Sequence, residues 1–530
     1  MGALQVNGPD TPFVQSAEEM GGRFSAEFMA LLPVWKEQLR QNPASLVEVE
    51  AGVHGTFARG ADLVVTGLLA GLMKQPEFAE STEALRKGFA EPLERGRERK
   101  IQVRLLGGLV VWVTSLYCEF RRSRQATSGQ RRRGMHVELA QFGFGKGCSP
   151  GLESLVGRQA ALCPSFAFAA QELVRRGVKL DVKTVRRVAT QCGEGLLGWR
   201  SHQLDLWRAG KLPAGTELKG KRVCVQFDGG RTRLRGALRA VPPRVEATND
   251  DGLLLENAPG RSRRRPKRTF DADWREPKLV TIFVHDERGR MEKGSKATLD
   301  GTFEGPDAMA EQIAMHLHRL GAAQAASVTF GADGAAWIWD RIPVICQKAG
   351  LKDVPTQEVL DCCHAAHHIS LALGALGLTE QQRMPVYRQL RTELRNGHWR
   401  KVIDELTDLA VGFDDDAMRT EIAYLTKHGE AGRLKYPTFR AEGLPLGSGA
   451  IESSIRRVIN LRLKGNGIFW DASNAEAMLQ LRAHVIADRW DERLQAMRQL
   501  ELHHGRRAWR REPQSMTIKA EANACALTKP

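Results

Sequence analysis

Between residues 221 and 361 the chain repeats one pattern, a short run of apolar, mostly β-branched or aromatic residues that stops on an acid and a turn. The run 222–227 ends at Asp228-Gly229-Gly230, the run 327–330 leads into Gly331-Ala332-Asp333, and the run 358–360 ends at Asp361. Apolar runs this short, bounded by turn residues, predict buried strands rather than helices. Residues 279–285 and 296–303 add two more. Pro306 is placed to open a helix running to about residue 320, and another helix is predicted over about 336–347. Three strands, a helix, a strand, a helix and a strand make a mixed sheet covered by helices. Open α/β sheets gather ligands at the carboxyl ends of their strands, where Asp228 and Asp333 fall. A helical stretch over 364–433 follows, and then a long helix after Gly447-Ser448-Gly449 with Glu452 in its first turn.

The rest of the chain has a different texture. Residues 26–39 and 63–73 carry apolar residues at three- and four-residue spacing, with Pro33 interrupting the first pattern. Residues 101–118 form a β-type run with a Gly107-Gly108 turn. The loop 121–133 is rich in arginine and is either a solvated linker or a phosphate-contacting loop. A short helix over 166–175, a turn at Arg176-Gly177-Val178 and a second helix from Val182 to about Cys192, capped by Asp181, suit a helix-turn-helix. The second helix would present Lys183, Thr184, Arg186, Arg187 and Gln191 to phosphates and base edges. An ordinary helical hairpin with a basic solvated face fits the same pattern.

Charge narrows the function. Lys plus Arg number 78 against 62 acids, a net +16 over 530 residues, which favours polyanionic partners, nucleic acid before anionic membrane. The apolar stretch around 105–118 is broken by glycines and too short to span a bilayer, no secretory signal opens the chain, and Val6 stands where myristoylation needs Ser or Thr. The nine cysteines contain no Cys-x-x-Cys, so neither a disulfide framework nor a zinc ribbon is expected, and a reduced cytoplasm fits.

Asp228, Asp333 and Glu452 would together suit hard cations, which prefer oxygen ligands and keep water and substrate phosphate as the others. Two such ions can clamp an in-line displacement at phosphorus. Each acid has a plainer explanation: Asp228 before two glycines as a turn former, Asp333 as a turn or helix cap, and Glu452 as the i,i+4 partner of Arg456. His364, His367 and His368 with Cys363 could be drawn as a metal site, but structural histidines beneath the carboxylates are the expectation.

Residues 447–483, GSGAIESSIRRVINLRLKGNGIFWDASNAEAMLQLRA, resemble the C-terminal signature of bacterial insertion-sequence DDE transposases related to the Mutator-like superfamily. That signature has a Gly-Ser-Gly turn, a catalytic Glu, basic residues and a Gly-x-x-Trp, here Gly467 to Trp470. VCVQFDGG and VTFGADGAAWIW resemble the blocks around the two catalytic aspartates, and Asp361-Cys362-Cys363-His364 resembles a further mark of the family. The resemblance covers about residues 100–490 and implies an RNase H-like catalytic core. It makes Asp228, Asp333 and Glu452 the catalytic residues and ligands of two Mg²⁺ ions, with Mn²⁺ able to substitute. Asp361 and His364 would support the active site, with His364 orienting Asp361 or an incoming phosphate.

Trp399 resembles a tryptophan that stacks on an unpaired base near the cut, helix packing being its alternative, and Arg456 and Lys464 would contact DNA. Relatives often carry a cysteine-paired element before the helix-turn-helix; Cys118 has no partner at that spacing, which argues against zinc there.

The implied function is a transposase that binds terminal inverted repeats as double-stranded DNA, cuts at them and joins the ends to target DNA. It would act as a homodimer or larger assembly in the bacterial cytoplasm at the nucleoid, with no membrane partner. A hydrolytic RNase H-like endonuclease and a non-catalytic DNA-binding regulator are the alternatives. The expected organisation is multidomain: a helical N-terminal region (1–100), a β-containing basic region (101–160), a helix-turn-helix region (161–215), and the first part of the core (220–363). An all-helical insertion (364–440), the catalytic Glu helix (441–490) and a basic tail (491–530) complete it.

Overall fold

The computed structural model of the chain describes residues 3–89, 93–120, 134–145, 147–236, 270–411 and 416–508. The basic runs 121–133 and 261–268 lie outside the described residues, as does the end of the third, 506–511.

The architecture is mixed, with two main sheets among helices. Strands β1 (Ala3–Val6), β2 (Leu93–Arg104), β3 (Val110–Phe120) and β4 (Gly134–His136) form an antiparallel N-terminal sheet. The turn at Gly107-Gly108 joins β2 to β3 as the sequence predicts. Two long helices, Ala17–Gln41 and Leu46–Met73, pack on this sheet. Pro33 lies inside the first helix without ending it, a correction to the expected interruption.

The segment Pro43–Met73 holds an 18-residue window of mean hydropathy 1.3 and is, by length and composition, apolar enough to cross a membrane. It nevertheless carries the buried carboxylate of Asp62, which accepts the Gly107 and Leu109 backbone N–H at 3.0 Å each. An acid in mid-helix, bonded to the β2–β3 turn, ties one face of this helix to the N-terminal sheet.

The second main sheet uses β5 (Arg222–Gly229), β8 (Lys278–Val284), β9 (Thr298–Thr302), β10 (Ser327–Ala332) and β11 (Thr356–Leu360) in the order β11-β10-β5-β8-β9. A small hairpin of β6 (Thr232–Gly236) and β7 (Asp271–Arg275) rises between β5 and β8. Strands β5, β10 and β11 run parallel, while β8 is antiparallel to both β5 and β9. All five expected strands are present. The helix expected over 336–347 is two, Ala336–Trp339 and Ile342–Ala349, the second starting with Pro343 in its first turn, where proline is tolerated.

Each face of the sheet owns a core. Val223, Val225 and Phe227 of β5 pack with helices Pro306–Leu320 and Ile342–Ala349 and with buried leucines of the insertion, such as Leu390 and Leu406. Leu279 and Leu299 pack on the opposite face with helices Pro150–Leu162, Phe166–Arg175, Val182–Arg208 and Ala472–Ile486. The second helix of the proposed helix-turn-helix therefore runs well beyond Cys192. Gly193 permits this, because a Cβ there would sit 2.3 Å from the Ala477 carbonyl oxygen of the crossing helix. The expected long C-terminal helix is broken. Gly449–Ile455 passes into a π-helical turn, Arg456–Asn460, and helix begins again at Ala472. Helix Trp490–Ala508, expected as tail, buries Leu494 and Met497.

Candidate active site

Side chains alternate along a strand. Val223, Val225 and Phe227 fill one core, which leaves Gln226 and Asp228 together on the other face of β5. Gln226 is 1% exposed and uses its amide as a two-sided clamp. Its Nε2 donates to the Gly447 carbonyl (2.8 Å), and its Oε1 accepts from the Ile451 N–H (3.2 Å). Thr281 of β8 adds a bond to Ser454 (3.1 Å). Helix Gly449–Ile455 is thus pinned across β5 and β8, and Glu452 is delivered beside the strand that ends in Asp228.

Asp361 is almost fully buried and serves as a fastener. One carboxylate oxygen accepts the Cys363 and His364 N–H groups (2.6 and 2.8 Å), capping helix Cys362–Ala375, and the other accepts the Ser448 N–H. This capping fixes His364, whose Nε2 lies 3.7 Å from Glu452 Oε1. Ser448 Oγ donates to that same oxygen at 2.5 Å. No ion pair joins Glu452 to Arg456, so the simpler account of that acid does not hold.

Asp333 follows β10. Its carboxylate accepts the Ala335 N–H (3.1 Å), the turn expected of it, and its carbonyl accepts the Tyr424 hydroxyl (2.7 Å) from the insertion. Gly334 has φ +99, and a Cβ there would fall 2.0 Å from Tyr424 Oη, so only glycine allows this approach. Tyr424 stacks on His368 (3.6 Å between ring centroids), and His368 pairs with Glu421. The histidine cluster therefore divides: His364 faces the carboxylates, His368 buttresses Asp333 through Tyr424, and His367 is exposed.

Burial first, and then the Asp333 carboxylate beside it, raise the Asp228 carboxyl to about 6, with the Gly229 N–H and His364 opposing them only in part. Two carboxylates in mutual repulsion form a site that a positive charge would stabilise. The all-oxygen donors Asp228 and Asp333 suit a hard cation. Among the described residues no group of three His, Cys, Asp or Glu side chains is drawn together closely enough to ligate one ion. The fit therefore rests on Asp228 and Asp333 as a pair, with Glu452 across His364.

The other expected residues are distributed more widely. Lys183, Arg186 and Arg187 are exposed near the start of helix Val182–Arg208. Thr184 is half-buried, and its hydroxyl donates to Asp181 (2.8 Å), completing the helix cap. Gln191 accepts from Arg187 (3.5 Å). Arg456 and Lys464 are exposed. Trp399 is half-buried on Gly429 under the Arg400 guanidinium, the packing arrangement. Sequence reading passed over Gln226, Ser448 and Tyr424, whose signal is burial and pairing rather than spacing. No family model, curated protein or solved structure matches the chain.

Proposed function

We propose that the protein is a DDE transposase, an RNase H-like enzyme that cuts DNA at terminal repeats and transfers the freed strand to a target. The observation that carries this reading is the site itself. One acid ends the central strand, a second follows the neighbouring parallel strand and raises the proton affinity of the first, and a third rides a helix clamped to that central strand. In chain order three antiparallel strands are followed by two parallel ones, which supports the reading of an RNase H-like core.

Asp228 and Asp333, with Glu452, would hold two Mg²⁺ or Mn²⁺ ions. When bound, such ions supply charge stabilisation at the attacking and leaving oxygens of a displacement at phosphorus. Asp361 and Gln226 orient the third acid, Tyr424 orients the Asp333 turn, and His364 stands opposite Glu452. The exposed cations of helix Val182–Arg208 would grip the phosphate backbone, and joining two ends calls for two or more copies.

The test is to incubate the protein with Mg²⁺, labelled DNA carrying the repeats that flank its coding region, and a plasmid. Label joined to the plasmid is expected. Cleavage without joining would mean a hydrolytic nuclease, and binding without cleavage in Mg²⁺ or Mn²⁺ a non-catalytic regulator. Lys183→Ala with Arg187→Ala should weaken binding to that DNA and flatten the dependence of log affinity on log salt by about 2. An unchanged slope would remove this helix from the DNA interface.

A further inference from the structure

The β6–β7 hairpin begins two residues after Gly230 and carries a surface that none of the residues discussed so far explains. Along β6 the residues alternate: Thr232 and Leu234 are buried, while Arg231 (just before the strand), Arg233 and Arg235 lie on the other side. Arg233 stands directly opposite Trp274 in the ladder. Trp274 is 50% exposed, whereas the other tryptophans among the described residues are buried or half-buried. The guanidiniums of Arg231 and Arg233 each lie 5.4 Å from its ring centroid. Arg233 also lies 4.8 Å from the Phe469 ring, Phe469 packs edge-on against Phe270 (5.4 Å), and Arg235 sits 4.8 Å over Phe270.

This ladder of arginines and rings is braced from behind by the chain that follows Glu452. Thr232 Oγ1 donates to the Leu463 carbonyl (2.6 Å), Arg235 N–H donates to the Trp470 carbonyl (2.8 Å), and Trp470 N–H donates to the Arg233 carbonyl (3.1 Å). At its foot, Gly230 N–H donates to Pro277 carbonyl (2.9 Å), directly beside the Asp228 end of β5. At no more than about 3.6 Å per residue, Arg231 lies within about 11 Å of Asp228 along the chain.

An exposed indole flanked by guanidiniums on a pair of hydrogen-bonded strands combines what single-stranded nucleic acid requires: a flat ring for a base and positive charge for the phosphates on either side. We infer that Trp274, with Arg231 and Arg233, is a stacking site for an unpaired nucleotide adjoining the scissile phosphate. A base on Trp274 would hold the strand open while its phosphates follow the arginine stripe toward Asp228. The inference deepens the transposase reading and rests on it for the position of the scissile bond.

The experiment uses the full chain carrying Asp228→Asn, so that DNA is bound without being cut. Repeat-end duplexes are compared with the same duplexes bearing a short single-stranded flank, in which a fluorescent adenine analogue occupies successive positions. Trp274→Ala should reduce affinity for the flanked DNA by about 5- to 150-fold, the range measured for one base stacked on an aromatic side chain. It should leave affinity for blunt duplex unchanged and abolish quenching of the analogue; Trp274→Phe should retain most of both effects. Circular dichroism and the unchanged duplex affinity report folding. Equal affinity and quenching in wild type and Trp274→Ala, or no preference for the flanked DNA in wild type, would overturn the inference. Trp274-dependent quenching from a protein that, with Asp228 intact, never cleaves would uphold the stacking site and remove the transposase reading instead.

Discussion

Replacing Asp228 with Asn should do two opposite things. Metal-dependent cleavage should fall by on the order of 10³-fold or more, since a neutral amide cannot balance a divalent cation and each ~1.4 kcal/mol of lost stabilisation is a factor of ten. The fold without metal should become more stable at neutral pH. The folded chain holds the Asp228 proton up to about pH 6, above the ordinary aspartate value of 3.8. It therefore binds that proton more tightly than the unfolded chain, and stability is lost as pH rises from about 4 to 6, by about 3 kcal/mol at one pKa unit per ~1.4 kcal/mol. Asparagine avoids that cost, so the variant should melt above wild type at pH 7.5 in chelator and by a smaller margin at pH 4. In wild type, cleavage should decline as pH falls through about 6, because the protonated acid no longer attracts a cation. A variant that melts at or below wild type in chelator at pH 7.5 would remove the account of Asp228 as a carboxylate held ionised at a cost.

The second large effect is expected far from the carboxylates, at Asp300 in the middle of β9. This residue is 1% exposed and accepts from Arg200 Nη1 (3.0 Å), His316 Nε2 (2.7 Å), Gln480 and the Gly301 N–H (2.7 Å). Arg200 continues to Glu476 (3.0 Å). Burial pulls His316 down to about 4 despite its bond to Asp300, so at neutral pH the ring is an uncharged donor. The burial of Asp300 is likewise opposed, chiefly by the Arg200 charge, which holds its carboxyl well below the usual range.

These contacts tie four elements to one carboxylate: β9, helix Pro306–Leu320, helix Val182–Arg208 and helix Ala472–Ile486. Asp300→Ala should cost about 3–5 kcal/mol, because it leaves a buried guanidinium short of a counter-charge. Denaturant unfolding checks it. A loss under about 1 kcal/mol would mean that Glu476 alone satisfies Arg200. Because Arg200 belongs to the helix that begins with Lys183 and Arg187, the same variant should loosen the basic helix start from the sheet. Hydrogen exchange along residues 182–208 should then rise more than along β5.

Much of the core was legible. The alternation of Val223, Val225 and Phe227 and the stops at Asp228, Asp333 and Asp361 are local patterns, and all five strands lie where they point. Helix starts signalled by Pro306 and Asp181 also hold, since each signal acts within the first turn of its own helix. The failures have a common origin. Pro33 read as a break because local propensity is unfavourable there, yet packing against a neighbouring element outweighs a cost of about 3 kcal/mol. Trp274 went unnoticed because its partner Arg233 is separated from it by the whole segment between β6 and β7.

What the sequence by itself determined are features decided within one turn or one strand: period-two burial, capping residues, acids at strand ends and the net positive charge. Convergence belonged to the tertiary structure. That Gln226 clamps the helix of Glu452, that Asp228 and Asp333 repel one another, that Asp300 is the buried hub and that Trp274 faces two arginines all depend on strand register and on water being excluded. Both arise only when distant segments pack, because an ionisable or hydrogen-bonding group takes its energy from what surrounds it rather than from its neighbours in the chain.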